Sequence, residues 1–178
     1  MEDGTKRLFV AVELPQELRA NIHEFARQIE QDGVKLVEEE NLHITLRFIG
    51  EVPEETVSDI ASRLEKIKFK EFECSIKGVG VFPSPSYIRV VWVGIECEQL
   101  MQLADSVIAA LKGIGKEEER KFSAHLTIAR VKKKIDLGEF LRKNKEKEFG
   151  KFNVSSFILF ESKLTPKGPV YTELKRFS

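Results

Sequence analysis

Leu8 to Leu14 (LFVAVEL) is a short apolar run closed by Pro15, the pattern of a buried strand. Pro15 suits the first turn of a helix whose apolar positions Leu18, Ile22, Phe25 and Ile29 recur every three or four residues, with Asp32-Gly33 ending it. From His43 to Phe48, polar and apolar side chains alternate, which predicts a strand with one buried face. Pro53 opens a second helix carrying Val57, Ile60, Leu64 and Ile67 on one stripe, and Phe72, Cys74 and Ile76 alternate as a further strand.

The same order then begins again. Tyr87 to Ile95 is rich in β-branched and aromatic residues and reads as a strand. Leu100, Leu103, Val107 and Leu111 form a helical stripe, Ser123 to Ala129 is a strand, and Ile135, Leu137, Phe140 and Leu141 predict a helix. One strand is expected from Phe152 toward Leu164, and a last one over about 170–176. Arg7 and Arg89 stand 82 positions apart, as do His43 and His125. Repetition on this scale predicts a duplicated unit, about 7–81 and 87–164, within one domain spanning 1–178, the two copies being related by a pseudo-two-fold axis. The Pro-rich stretch Phe82 to Ser86 falls where the copies should be joined.

Composition narrows the class without naming a function. The chain has 178 residues, 42% hydrophobic and 33% charged, enough for one globular domain with a hydrophobic core. No apolar run approaches the ~20 residues that span a bilayer, so no membrane association is expected. The N-terminal residues lead into a strand without a secretory apolar region, which makes the cytoplasm the expected location. Formal net charge is zero, so any affinity for nucleic acid must come from a local patch. Many Glu and Lys with few Asn, Gln, Cys and Met resemble the balance of proteins from hot environments. Cys74 and Cys97 are too far apart in sequence for a Cys-x-x-Cys site and are expected as reduced, buried thiols.

The chemistry lies in two of the three histidines, which open the motifs His43-Ile44-Thr45-Leu46 and His125-Leu126-Thr127-Ile128. Residues i and i+2 of a strand share a face, so each imidazole should have a threonine hydroxyl beside it. A lone His-x-Thr is most simply a half-buried strand histidine bonded to its neighbour. Two copies at repeat-equivalent positions are different, because a duplicated core has no need of imidazole at both places, whereas an active site on the axis does. With an unperturbed pKa of about 6.5, one ring can be neutral and deprotonate water while the other is charged and protonates a leaving oxygen. The Thr45 and Thr127 hydroxyls can donate to phosphate oxygens as charge builds on them.

Other sites find less support. Two histidines with threonine neighbours lack a third metal ligand, His-Glu-x-x-His is absent, and so is Gly-x-Ser-x-Gly; no metal is expected. His23 lacks a threonine at +2 and reads as a surface residue. Arg47 shares the expected strand face of His43 and Thr45 and is a candidate to line the same cleft. Lys132-Lys133-Lys134 is either a solvated run or a track for an RNA backbone.

Both motifs, with Arg7-Leu8-Phe9-Val10-Ala11, Asn41 to Gly50, His125 to Arg130 and Ser162 to Tyr171, resemble the two-histidine (2H) phosphoesterases. Within them the likeness is to the RNA 2′,3′-cyclic phosphodiesterase branch, also called 2′-5′ RNA ligase, and it covers essentially the whole chain. The resemblance implies an α+β, bilobal fold: two pseudo-symmetric lobes of mainly antiparallel sheet, helices on the outer faces, the active site between. It implies hydrolysis of a terminal 2′,3′-cyclic phosphate to a 2′-phosphomonoester without metal or cofactor, His43 as proton donor and His125 as proton acceptor. The reverse reaction would be 2′-5′ ligation. Arg130 joins Thr45 and Thr127 as a substrate-binding candidate, since family members carry arginine there and a guanidinium suits phosphate. Strict alternation would point Arg130 away from His125, so the strand must end or bulge before it. The expected partner is RNA with 2′,3′-cyclic phosphate ends, tRNA fragments among the candidates, and the expected state is a monomer. Two rival readings are a non-catalytic module that binds RNA ends or nucleotides, and a 2H enzyme acting on small cyclic nucleotides.

Overall fold

The computed structural model describes residues 4–117 and 121–178. Its first half runs β1 (Thr5–Glu13), α1 (Gln16–Ala26), β2 (Val34–Leu36), β3 (His43–Pro53), α2 (Val57–Glu65) and β4 (Phe72–Ser84). The second half runs β5 (Tyr87–Glu96), α3 (Glu98–Ala110), β6 (His125–Val131), α4 (Gly138–Asn144), β7 (Glu148–Val154), β8 (Phe157–Thr165) and β9 (Gly168–Phe177). The 82-residue offset superposes β1 on β5, α1 on α3, β3 on β6, α2 on α4 and β4 on β8.

The strands form two antiparallel sheets, one in the order β3-β1-β8-β9 and one in the order β2-β6-β5-β4-β7. Under the offset, the triplet β3-β1-β8 matches β6-β5-β4. Each triplet takes two strands from one half and its third from the other, so the halves are interlocked by exchange of β4 and β8. The helices cross over as well: α1 packs against β6 and β7, and α3 against β3. This is an α+β bilobal fold, with the sequence halves shared between the lobes.

One hydrophobic core runs through both sheets and their helices, from Leu8, Val10 and Ile44 to Val93, Leu126 and Ile128. A second, smaller cluster lies on the other face of the first sheet, where Phe9, Ala11, Ile158 and Phe160 meet Phe48 and Tyr171. Strand β1 therefore has apolar neighbours on both faces, which is why its sequence is a continuous apolar run rather than an alternation. The Phe9 and Phe160 rings stack with centroids 5.2 Å apart, and burial of each stabilises the sheet by roughly 2–3 kcal/mol.

Some sequence expectations change. The single strand expected from Phe152 toward Leu164 is two, β7 and β8, which join different sheets and are parted at Ser155-Ser156. Strand β2 was not expected, being three residues long with too short a pattern to read. The Pro-rich junction is the tip of a hairpin: β4 and β5 pair out to Ser84 and Tyr87, leaving only Pro85-Ser86 as the loop. Both cysteines are free thiols; Cys74 is buried, but Cys97 is only half-buried at the start of α3. No helix among the described residues is long and apolar enough to cross a membrane.

Candidate active site

His43 and His125 are the first residues of β3 and β6, and these two strands pack against each other. Each imidazole rests on an aromatic floor laid by its own sheet. The His43 ring lies 4.8 Å from Phe160 and 5.9 Å from Tyr171 between centroids. The His125 ring lies 5.1 Å from Phe82, edge to face, and 6.2 Å from Trp92. Trp92 packs over Gly80, where a Cβ would come within 2.2 Å of the indole. The lack of a side chain at Gly80 thus sets the height of the floor beneath His125.

Thr45 is exposed and Thr127 half-buried, each two residues beyond its histidine. Immediately afterwards both strands bulge. In β3, Val10 pairs with Arg47 and Ala11 with Thr45, so Leu46 is the extra residue. In β6, Val91 pairs with Ala129 and Trp92 with Thr127, so Ile128 is the extra residue. An extra residue reverses the alternation of every side chain after it.

In β6 the reversal brings Arg130 onto the face that carries His125 and Thr127, where it is exposed; of the two outcomes expected from the resemblance, a strand end or a bulge, the strand bulges. In β3 it does the opposite to Arg47. That residue was expected in the cleft but is only 1% exposed, and its guanidinium donates to the Ile114 carbonyl at 2.6 Å. Arg47 thereby anchors the loop after α3, whose Lys116 N–H also donates to the Ile49 carbonyl at 2.8 Å. Phe48, the repeat equivalent of Arg130, turns onto the cleft face instead and lies under the Arg7 guanidinium, 4.9 Å from it.

The imidazoles are oriented from behind. His125 Nδ1 lies 2.7 Å from the Ser123 carbonyl oxygen. A carbonyl can only accept, so Nδ1 carries the proton, and in the neutral ring Nε2 is left with its lone pair free. The equivalent Asn41 carbonyl acts on His43 in the same sense, but the contact falls short of hydrogen-bond geometry, and the buried Nδ1 has no hydrogen-bond partner among the described residues. Burial is the largest influence on both rings and lowers both pKa values below 6.5; the carbonyls, and Glu13 at His43, offset this in part.

Tyr171 stands beside His43, and burial raises the pKa of its hydroxyl, while the positive charges of Arg130 and Arg7 act in the opposite direction. Of the basic run after the second motif, Lys132, Lys133 and Lys134 are all exposed, and Lys133 is paired with Asp32. His23 is half-buried rather than on the surface, its Nδ1 3.1 Å from the Val37 carbonyl, so it ties α1 to the segment leading to β3. Among the described residues, no group of three or more His, Cys, Asp or Glu is placed to hold a metal ion. Phe160, Tyr171, Phe82, Trp92 and Arg7 do not stand out in the sequence as site residues. The aromatics occupy apolar strand positions that read as ordinary core, and only their pairing with a histidine across strands distinguishes them.

Comparison with known proteins agrees with this geometry. The family model described as LigT like Phosphoesterase matches the chain twice, over residues 12–92 and again over 93–171. The RNA 2′,3′-cyclic phosphodiesterase of Archaeoglobus fulgidus is 44% identical over 174 residues, covering 96% of this chain and 99% of that protein. The crystal structure of TT0787 from Thermus thermophilus superposes with a TM-score of 0.84 at 34% identity, covering 97% of both chains. That of E. coli LigT complexed with 3′-AMP superposes with a TM-score of 0.82 at 26% identity, again over 97% of each.

Proposed function

The chain belongs to the LigT-like phosphoesterase family, and on that premise we propose that it is an RNA 2′,3′-cyclic phosphodiesterase whose acid–base pair is His43 and His125. The reading rests on one observation above all: two His-x-Thr motifs open equivalent strands that pack together, each followed by a bulge at the same place. The curated relative at 44% identity carries that activity in its name, and E. coli LigT has been crystallised with a 3′-nucleotide.

In this mechanism the cyclic phosphate sits between the imidazoles. The free Nε2 lone pair of His125 supports its role as the base: it takes a proton from water, which attacks phosphorus. The P–O3′ bond breaks, His43 delivers its proton to the departing 3′ oxygen, and a 2′-phosphomonoester remains. Thr45, Thr127 and Arg130 donate to the non-bridging oxygens, where negative charge accumulates. The cyclic phosphate has a strained internal leaving group, so protonation by an imidazole suffices where other phosphodiesterases polarise oxygen with a metal. With a 5′-hydroxyl attacking in place of water, the same steps join the two ends through a 2′-5′ linkage. The protein acts in this reading as a cytoplasmic monomer on RNA ends such as those of tRNA fragments.

The test is to incubate the protein with excess EDTA and an RNA ending in a 2′,3′-cyclic phosphate, then identify the product isomer. A 2′-phosphate is expected. A 3′-phosphate, or activity abolished by EDTA and restored by a divalent ion, would overturn the mechanism.

A further inference from the structure

Cys74 and Cys97, too far apart in sequence for a Cys-x-x-Cys site, meet in the fold. Strand β4 pairs with β5 through Ile76↔Ile95 and Ser75↔Glu96, so the next opposed pair of that antiparallel register is Cys74 and Cys97. Ile95 donates its N–H to the Ala124 carbonyl, on the side away from β4, which makes Ile76 and Ile95 a non-hydrogen-bonded pair. Two positions further along, the same alternation applies to the cysteines. Such pairs hold their Cα atoms about 4.5 Å apart with the side chains close together, within the roughly 4.4–6.8 Å that a disulfide bridges.

Both side chains lie on the core face of the sheet. Val93, Ile95 and Cys97 follow at every second position of the chain, and Cys74 is buried in the same core. Trp92 and Gly94, between them, belong to the face of His125. The two thiols are hydrogen-bonded to each other; burial, and then this contact, raises the pKa of Cys74. They differ in access. Cys74 is 1% exposed, whereas Cys97 is half-buried where α3 begins, its Sγ 3.6 Å from the Glu73 carbonyl oxygen.

We propose that Cys74 and Cys97 are a cross-strand disulfide site, which on oxidation by a low-molecular-weight disulfide clamps the start of α3 to β4. The difference in access sets the order of steps. Cys97 meets the oxidant first: its sulfur attacks one sulfur of the small disulfide, giving a mixed disulfide and releasing one small thiol, which carries away the Cys97 proton. The Cys74 sulfur then attacks that of Cys97, the second small thiol departs with the Cys74 proton, and the Cys74–Cys97 bond is complete. The protein loses two protons and two electrons, and the oxidant becomes two thiols. The bond closes the β4–β5 hairpin into a ring and so restricts the unfolded chain. A reducing compartment holds the pair open and an oxidising one closes it.

The folded, fully reduced protein incubated with excess oxidised glutathione, alkylated in denaturant and mapped by mass spectrometry without reductant tests this. The expected product is a monomer with no alkylatable thiol and one cross-linked peptide pair carrying Cys74 and Cys97. Its Tm should exceed that of the reduced protein by about 5–10 °C, the shift of a typical cross-link in a domain of this size, and dithiothreitol should reverse the rise. The Cys97→Ser variant, changed at the half-buried position so that the core is kept, should show no rise. Two thiols still alkylatable, glutathione retained on Cys97, or a disulfide-linked dimer would overturn the site. A bond that forms without raising the Tm, or an equal rise in Cys97→Ser, would overturn the clamp. Neither readout involves turnover, so the outcome is independent of the phosphodiesterase reading.

Discussion

Leu46 and Ile128 stand 82 positions apart, and each is the extra residue of a β-bulge one place beyond the threonine of its motif. Duplication thus preserved a local irregularity as well as the regular elements. The two copies use it differently. On one side it buries Arg47 and presents Phe48; on the other it buries Ala129 and presents Arg130. The two motifs therefore end differently, in an arginine on one side and, on the other, in a phenylalanine lying under the Arg7 guanidinium.

Replacing either histidine by alanine should lower kcat by ~10²–10⁴-fold while leaving the fold intact, since in the proposed mechanism each ring moves a proton in the transition state. Thr45→Ala and Thr127→Ala should cost no more than the ~10²–10³-fold typical of one lost oxyanion donor. Steady-state kinetics on a cyclic-phosphate RNA decide the matter. Near-native turnover by His43→Ala beside an inactive His125→Ala would replace the acid–base pair with a single-base mechanism.

Both imidazole pKa values are lowered, chiefly by burial. The kcat/KM profile, which reports the free enzyme, should be a bell whose two apparent pKa values belong to the coupled pair and lie on the acid side of 6.5. A bound phosphate anion favours the charged rings, so the kcat profile should be displaced to higher pH. Stability follows the same shifts. Below pH 6.5 the unfolded chain binds more protons at these two sites than the folded one, so their contribution is complete above 6.5 and is lost as pH falls toward the lowered folded values. Thermal melts of wild type against a His43→Ala, His125→Ala double variant measure that difference; identical pH dependence would contradict the shifts.

Arg47 should behave as a structural residue. Arg47→Ala removes a charged donor from the Ile114 carbonyl and leaves a void in the core, a loss of roughly 3 kcal/mol. Denaturant melts should show the loss, while kcat measured on the folded fraction changes little. A selective fall in kcat with unchanged stability would return Arg47 to the cleft.

Much of this architecture is legible in the sequence because the duplication writes it twice. The helical stripes ending at Ile29 and Leu111, the strand opening at His43 and the strand containing His125 follow from periodicity and the 82-residue offset, and the resemblance adds the expectation that the second strand ends or bulges before Arg130. What periodicity misses is partnership between distant strands. Nothing local says that Ile158 to Phe160 leaves β7 to pair with β1, because a run buried on both faces has no alternation to read. Arg47 is misplaced by alternation for a related reason: a bulge is a relation between two strands, and in β3 no residue type marks it. The aromatic floors under the histidines are hidden in the same way, as Phe160 and Trp92 are apolar strand residues until the partner across the sheet is known.

The basic run should divide by its ion pairing. Lys133 is already paired with Asp32, and its stem lies against Gly33, so it has little freedom to meet a phosphate. Lys132 and Lys134 are exposed on the segment that follows Arg130, and on the phosphodiesterase reading they are the pair that would track an RNA backbone. Each lysine that neutralises a phosphate of single-stranded RNA contributes about −0.7 to the slope of log K against log salt. The Lys132→Ala, Lys134→Ala double variant should therefore flatten that slope by about 1.4 for an oligonucleotide, and Lys133→Ala should change it far less. A cyclic mononucleotide has no upstream phosphates to lose, so its kcat/KM should be unaffected by either change. Equal effects from all three lysines, or an effect on the mononucleotide, would mean that the run contributes only a diffuse positive field rather than a track.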